Sequence, residues 1–526
     1  MRRPVWLLTR LSLCSIAAAA LACSTLFPGT PRPPALTATR LPPTLGSPSA
    51  LASATSAVST ATAAATSARA ASATATAALS STPAIPAATV NPATPAKGQP
   101  NTTPAPIRAC DFVPGVSVAA QMPAAVLNEG TPTPEPSPAP PTSTPVEAAV
   151  TTRHLQVFNE LIATIQADYV YTNVVKNQLP ALQKQYKQLI SAGLDDAGFY
   201  EAMADLITDL GDNHSYFESP DEAKATDAGF TGKNDFVGIG IFAQAVPEAG
   251  RAVIVVVFPG GPAAQAGLRV HDSIVAIDGQ PALDTAGFMS SAIRGTEGSQ
   301  VTLTIARPGQ PQFTAQLTRR RVTGALPVDA CLIPSRRIGY IYLPGLDDET
   351  IPAQVRAALR SLTAGGPLTG LVIDNRENGG GLSTVLDALL SFFTHGDLGR
   401  FVATDEARRL TIQAEDVGGS QSVPLLVLVS RDTISYGEVL SGLLQVTGRA
   451  RVAGQTSLGN VETEWSYSFK DGSRVWLAHE LFQPPGLPLA YWEGRGIQAD
   501  ISLPVRWDLF SEASDPALAA AVELFK

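Results

Sequence analysis

Three apolar runs constrain the C-terminal half of this chain more than any other feature. Residues 338–343, 368–374 and 424–430 are each of strand length and apolar. They are separated by segments of helical length, residues 351–362 and 382–393, and followed by another at 435–446. A run apolar on both faces must be covered on both faces, which calls for a sheet with helices packed on it. From Arg337 onward the expectation is therefore an α/β fold. Two loops leave the carboxyl ends of these runs, where such a sheet presents ligands. One is Asp374-Asn375-Arg376-Glu377-Asn378-Gly379-Gly380-Gly381, and the other is Asp432-Thr433-Ile434-Ser435-Tyr436-Gly437-Glu438. A serine at a strand-to-helix turn is held exposed, and backbone N–H groups at the helix start can stabilise an oxyanion.

Ahead of this region the pattern changes twice. Residues 152–217 carry helical periodicity, with Leu155, Phe158, Leu161, Ile162 and Ile165 on one face. Further helices are expected at 177–190 and 196–210, the last ending in Asp212-Asn213-His214-Ser215. Residues 236–322 read as strands and turns. Val237-Gly238-Ile239-Gly240-Ile241 comes first, then the apolar run 252–258, then Pro259-Gly260-Gly261-Pro262-Ala263 and the segment from Asp272 to Gly279. This order resembles a PDZ domain. The resemblance implies that Gly238, Ile239 and Gly240 offer N–H groups to a terminal carboxylate, and that the strand beginning at Ile239 gives an edge for an added peptide. His271 stands where a PDZ domain usually has glycine, and is expected to alter only a turn.

The first 150 residues are of another kind. Arg2, Arg3 and an apolar stretch ending near Ala22 read as an export signal over residues 1–22. Ala20-Leu21-Ala22-Cys23 resembles a bacterial lipobox, with Ala20 in place of the usual Leu. That implies lipidation of Cys23 and a lipoprotein held to a membrane on the extracytoplasmic side of the cell envelope. An ordinary signal with a chance cysteine is the other reading. Residues 23–106 are mostly Ala, Thr, Pro and Ser and cannot bury enough apolar surface to offset ordering, so a disordered tether is expected. Residues 107–150 are expected to be a partly ordered segment and a linker. Outside the cytoplasm Cys110 and Cys331 would form one disulfide, or else remain two buried thiols. The net charge of −9 and the lack of a basic stripe give no case for nucleic acid. No Cys/His spacing suggests a metal, and no cofactor is expected.

The two loops resemble motifs of the tail-specific (C-terminal-processing) serine proteases. Residues 374–381 look like Asp-Leu-Arg-x-Asn-x-Gly-Gly with Asn375 for Leu, and residues 433–438 look like the Thr-Ala-Ser-Ala-x-Glu nucleophile motif. Gly496-Ile497-Gln498-Ala499-Asp500 is similar to a late Gly-Ile-x-Pro-Asp motif. The resemblance implies a crotonase-like core at 335–526, a PDZ domain at 230–325 and a helical subdomain at 151–225. It also implies Ser435 as nucleophile, with an oxyanion hole from the Tyr436 N–H and that of Gly380 or Gly381. One departure matters. In Gly454-Gln455-Thr456-Ser457-Leu458-Gly459-Asn460, Asn460 occupies the place of the lysine base of the commonest branch. An amide cannot accept the proton, so that dyad is absent. A second branch, similar to the tricorn core protease, pairs Ser with His. On that pattern His214 would be the general base and Glu493 would orient the site, with Ser215 taking part. Glu462 and Glu464 are weaker base candidates, and Arg376 and Glu438 are expected to brace the site by ion pairing. His214 also reads as a bundle-packing residue, and Glu493 as a surface carboxylate.

Three functions follow from these readings. The first is an active endopeptidase that captures the free C-terminal ends of unfolded proteins. The second is an inactive relative that binds peptides or apolar ligands without turnover, because of Asn460. The third is a surface adaptor working through its PDZ region.

Overall fold

A computed structural model describes residues 107–113, 147–230, 234–285 and 287–526. The expected export signal, Cys23 and the expected tether lie outside these residues, as does most of the 107–150 segment.

Ala148–Asp168, Thr172–Asn177, Leu179–Ser191 and Asp196–Thr208 form the helical part. The helix expected over 177–190 instead begins at Leu179, after a separate short helix. Pro180 sits in its first turn, where a missing N–H costs nothing. Phe158, Leu161, Ile165, Phe199 and Leu206 are buried together with Val475, Leu477 and Ala478 of the strand Arg474–Gln483. The bundle's last helix leads through residues 209–215 into the strand Tyr216–Glu218, which pairs antiparallel with residues 474–476. His214 is thereby carried on a loop pinned against the strand Arg474–Gln483.

Strands Ile241–Val246, Arg251–Val257, Ser273–Ile277, Gln300–Ala306 and Phe313–Thr318 form an antiparallel sheet in that order. Its first strand begins at Ile241 rather than Ile239 and lies on the sheet edge. Asn234–Gly238 and Arg320–Gly324 make an antiparallel ribbon where the chain enters and leaves this domain.

His271 does more than alter a turn. It takes a left-handed φ of 74°, which glycine adopts without strain. Its ring is buried, stacks on Trp507 at 4.6 Å and approaches the Trp507 carbonyl through Nδ1 at 3.0 Å. Burial pushes it down to about 4, so it is neutral. A residue read as a loop irregularity instead anchors the β domain to the core.

The core is built on a seven-stranded sheet. Its order is Arg108–Ala109, Asp329–Ile333, Ile338–Tyr342, Gly370–Asp374, Leu425–Val429, Ala450–Gly454, Ile501–Ser502. The last five strands run parallel. Every residue of the three central strands is buried, as the continuous apolar runs require. Helices Ile351–Thr363, Ser383–Phe393, Tyr436–Val446 and Pro516–Leu524 pack on this sheet. A second, antiparallel sheet of Ala407–Ile412, Gly396–Val402, Arg474–Gln483 and Thr463–Ser468 lies over the site. Cys110 and Cys331 are joined by a disulfide with Cα atoms 5.0 Å apart. It sits beside the parallel pairing of Arg108 and Ala109 with Cys331 and Leu332.

Candidate active site

Ser435 stands between the strand Leu425–Val429 and the helix Tyr436–Val446, at φ 53° and ψ −127°. That backbone is rarely adopted by a non-glycine residue and costs about 1–3 kcal/mol, held here by its surroundings. The restraint is visible. The Ser435 N–H donates to the Asn460 carbonyl at 2.8 Å, and Ile434 N–H donates to the Asn378 carbonyl at 3.0 Å. The neighbouring glycines are required by close approach. A Cβ on Gly437 would lie 2.4 Å from the Asn378 oxygen, and one on Gly380 would lie 2.6 Å from Ser435 Cβ and 3.0 Å from Tyr436 N. The glycine run is therefore pressed against the turn that carries Ser435.

Among the described residues no group accepts from the Tyr436 N–H or the Gly381 N–H. The Gly380 N–H is occupied, donating to Asn378 Oδ1 at 2.9 Å. Of the two glycines named for an oxyanion hole, Gly381 is the one whose donor is left over. Asn375, in place of leucine, is fully buried and donates to the Gly437 carbonyl and Ser441 Oγ, both at 2.8 Å. It ties one loop to the first turns of the nucleophile helix. Arg376 pairs with Asp374 at 2.5 Å and Asp515 at 2.7 Å, all buried.

Glu438 braces the site by hydrogen bonds rather than by an ion pair. Its carboxylate accepts from Ser457 Oγ (2.6 Å), Gly459 N–H (2.7 Å) and Asn460 N–H (2.8 Å). Burial raises it to about 7 against these bonds. Asn460 thus touches the nucleophile turn through its backbone, while its side chain points to the Asn213 carbonyl at 3.4 Å. That contact brings the His214 loop to the position next to Ser435.

The loop itself is rigid. Asp212 Oδ1 accepts from His214 N–H (2.9 Å) and Ser215 N–H (2.6 Å), and Tyr169 donates to Asp212 Oδ2 at 2.5 Å. Ser215 Oγ accepts from Ala478 N–H at 2.9 Å, so this hydroxyl serves the loop. His214 faces carboxylates on both nitrogens. Nδ1 lies 3.8 Å from Glu462 Oε2 and Nε2 lies 3.5 Å from Glu464 Oε2. Burial alone would lower His214, but the Glu464 and Glu462 carboxylates raise it to about 10. Glu464 is pushed up to about 8 by burial. Glu493 accepts from Val461 N–H at 2.9 Å and is raised above the ordinary carboxylate range by burial and the adjacent Glu462, while His214 draws Glu462 down against its burial. Ser435 Oγ makes no hydrogen bond among the described residues, so the serine–histidine pairing is not closed in this conformation.

The sequence reading named Glu462 and Glu464 as bases. The structure gives them another place, as the two carboxylates against His214. No spacing could have shown this, because strand Thr463–Ser468 and the 209–215 loop meet only through tertiary packing. Gln244 was also missed. It lies on the edge strand of the β domain and donates to Asp432 at 2.5 Å, three residues before Ser435. Gly238–Gly240 lie just before that strand.

Comparisons with known proteins match these parts. Residues 337–503 match the model of peptidase family S41, and residues 253–307 match that of the PDZ domain. The chain is 31% identical over 305 residues to the chloroplastic C-terminal processing peptidase of Tetradesmus obliquus, covering 54% of this chain and 64% of that one. It is 31% identical over 302 residues to the chloroplastic carboxyl-terminal-processing peptidase 2 of Arabidopsis thaliana, covering 54% and 57%. The chain thus spans less than two thirds of the length of these curated relatives. A solved photosystem II D1 C-terminal processing protease is 26% identical with a TM-score of 0.48, covering 70% of this chain and 97% of that one. His214 lies outside both matched spans. Ser435, the glycine run and Asn460 lie inside the first, so the part of the chain that bears them is the part similar to peptidase family S41, and the part similar to a PDZ domain precedes it.

Proposed function

We propose that this protein is a serine endopeptidase that works outside the cytoplasm on the unfolded C-terminal tails of other proteins. Ser435 attacks the scissile carbonyl, and His214 takes its proton and returns it to the leaving amine. The Tyr436 and Gly381 N–H groups hold the developing oxyanion. The observation that carries this reading is the backbone of Ser435, left-handed at a strand-to-helix turn with the Tyr436 N–H unpartnered behind it. The relatives' names as C-terminal processing peptidases agree with it.

Capture by the PDZ domain belongs to the same proposal. Ile241–Val246 is an edge strand to which an extended tail can add, and Gly238–Gly240 lies at its start for the terminal carboxylate. The export signal and a lipid on Cys23 would place the enzyme on the outer side of a membrane. Ser435, His214 and the Tyr436 and Gly381 N–H groups supply the chemistry there.

A second reading is favoured by one observation. With both His214 nitrogens against carboxylates and Asn460 in the lysine position, no base is engaged with Ser435. On that reading the chain binds tails without cutting them. Cleavage of an unfolded model protein tests the two, run with the parent, Ser435→Ala, His214→Ala and Asn460→Lys. Loss of cleavage in both alanine variants, with folding retained, establishes the Ser–His enzyme. No cleavage by the parent at neutral or alkaline pH, with gain in Asn460→Lys, means that the scaffold has lost its base.

A further inference from the structure

We propose that Glu464 is a positioning residue that holds the Nε2–H edge of His214 and keeps the base latent, so that the site turns on only when this contact is broken. The inference rests on the Ser435–His214 reading above.

A histidine that serves a serine nucleophile uses its two nitrogens differently. One donates to an orienting carboxylate, and the other takes the serine proton. Here Glu462 stands at Nδ1, the orienting side, and Glu464 stands at Nε2, where the serine hydroxyl should be. The two carboxylates reach the ring from one short chain segment, residue 462 just before the strand Thr463–Ser468 and residue 464 within it. The strand's register against Arg474–Gln483 breaks between Thr463 and Glu464. Such an irregularity re-aims side chains and is common beside active sites. Neither carboxylate is spent on another bond at the atoms concerned. On the Nδ1 side both Glu462 Oε2 and His214 Nδ1 are buried without a hydrogen-bond partner, and on the Nε2 side the other oxygen of the Glu464 carboxylate, Oε1, is buried and unpartnered as well. Both contacts are longer than hydrogen bonds, so the ring is drawn by charge into the acidic pocket without being locked there.

The loop cannot relax the contact by moving away. Asp212, Tyr169 and the Ser215–Ala478 bond fix its backbone. What remains is rotation of the His214 ring. The titratable groups facing the ring are Asp212 on its own loop, and Glu462 and Glu464 on the strand segment. Glu493 faces it from the late turn and Glu438 from the nucleophile helix. Tyr169 and Tyr171 flank this set from the end of the first long helix, through Asp212 and Glu462, and Glu218 acts on Glu464 from the strand beside it. The other acids still favour the proton, so one carboxylate removed from Nε2 should weaken the hold on it and leave that nitrogen free to turn to Ser435. Substrate arriving between Ser435 and Glu464 would do the same.

The test reads the His214 proton directly. Deuterium exchange at the imidazole C2 position, followed by mass spectrometry of the peptide containing His214, gives the midpoint of its titration in the full chain. The parent should titrate in the alkaline range. Glu464→Gln and the apolar Glu464→Met, both verified as folded, should lower the midpoint by about one unit or more, a tenfold fall in proton affinity. The pH for half-maximal cleavage should fall with it, and cleavage at neutral pH should rise about tenfold. An unchanged midpoint in both variants overturns the proposal, as does a lowered midpoint with unchanged neutral cleavage in an active parent. If parent and variants alike never cleave, the proteolysis reading fails, and the midpoint alone decides whether Glu464 holds the ring.

Discussion

Ser435 and Asn460 meet through their backbones: the Ser435 N–H donates to the Asn460 carbonyl at 2.8 Å, while the Asn460 side chain turns toward Asn213. The residue in the lysine position therefore still holds the nucleophile turn, although it supplies no base. Its replacement should affect chemistry and backbone separately. Asn460→Lys keeps the carbonyl and adds an ammonium beside an acidic pocket. We expect the variant to fold with the parent's thermal midpoint within a few degrees and to gain cleavage over the parent as pH rises, because the neighbouring acids keep the new amine protonated near neutrality; proteolysis of an unfolded protein reads this.

The backbone at Ser435 gives a second expectation. Glycine adopts φ 53° without the cost a side chain bears. Ser435→Gly should be more stable than Ser435→Ala by about 1 kcal/mol, with both inactive. Urea unfolding with matched slopes measures this; equal stability would show that the turn relaxes once the hydroxyl is gone.

The pH dependence follows from His214. Its folded value, about 10, lies above the ordinary 6.5. The stability it contributes is complete below 6.5 and is lost as pH rises through 10. Activity should move the opposite way, because only the neutral ring can accept a proton. Cleavage should climb from pH 7 toward 10 while the thermal midpoint falls. In His214→Gln the midpoint should fall less over the same interval, and the two curves should approach each other at the alkaline end.

Glu438 supports the turn from below. Glu438→Ala removes the acceptor for two N–H groups and one hydroxyl, and should cost about 2–4 kcal/mol. Because one of those donors is Asn460 N–H, the Asn460 carbonyl should lose its register with Ser435 and cleavage should fall at least tenfold. Thermal unfolding and initial rates measured on the same samples check both effects.

Removal of the Cys110–Cys331 link should act on stability alone. Cys110→Ser with Cys331→Ser should lower unfolding stability by about 2–4 kcal/mol. The rate per folded molecule should hold, since Cys331 lies three strands from the strand that leads to Ser435.

What could be read from the sequence was what short-range chemistry dictates. The runs at 338–343, 368–374 and 424–430 are strands because both faces need cover. The glycines of the first loop are there because close approach to Ser435 leaves no room for a Cβ, whereas the serine of the second is recognised by its place at a strand-to-helix turn. Glu462 and Glu464 against His214 could not be read, since neither motif nor period links residues about 250 positions apart. The same holds for Gln244 on Asp432 and for His271 on Trp507. Each depends on how separate units dock, and that is set by packed surfaces rather than by local pattern.

The Cys110–Cys331 bond also makes a closed ring of chain. With a separation of 221 residues, it encloses the helical part bearing His214 and the whole PDZ domain. Tension arriving from before Ile107 can peel only Arg108 and Ala109 from their strand before it meets Cys110. There it crosses the covalent bond to Cys331 and enters the edge of the large sheet. The enclosed units lie off that path, so a pull on Ile107 bypasses the loop bearing His214 and the edge strand Ile241–Val246.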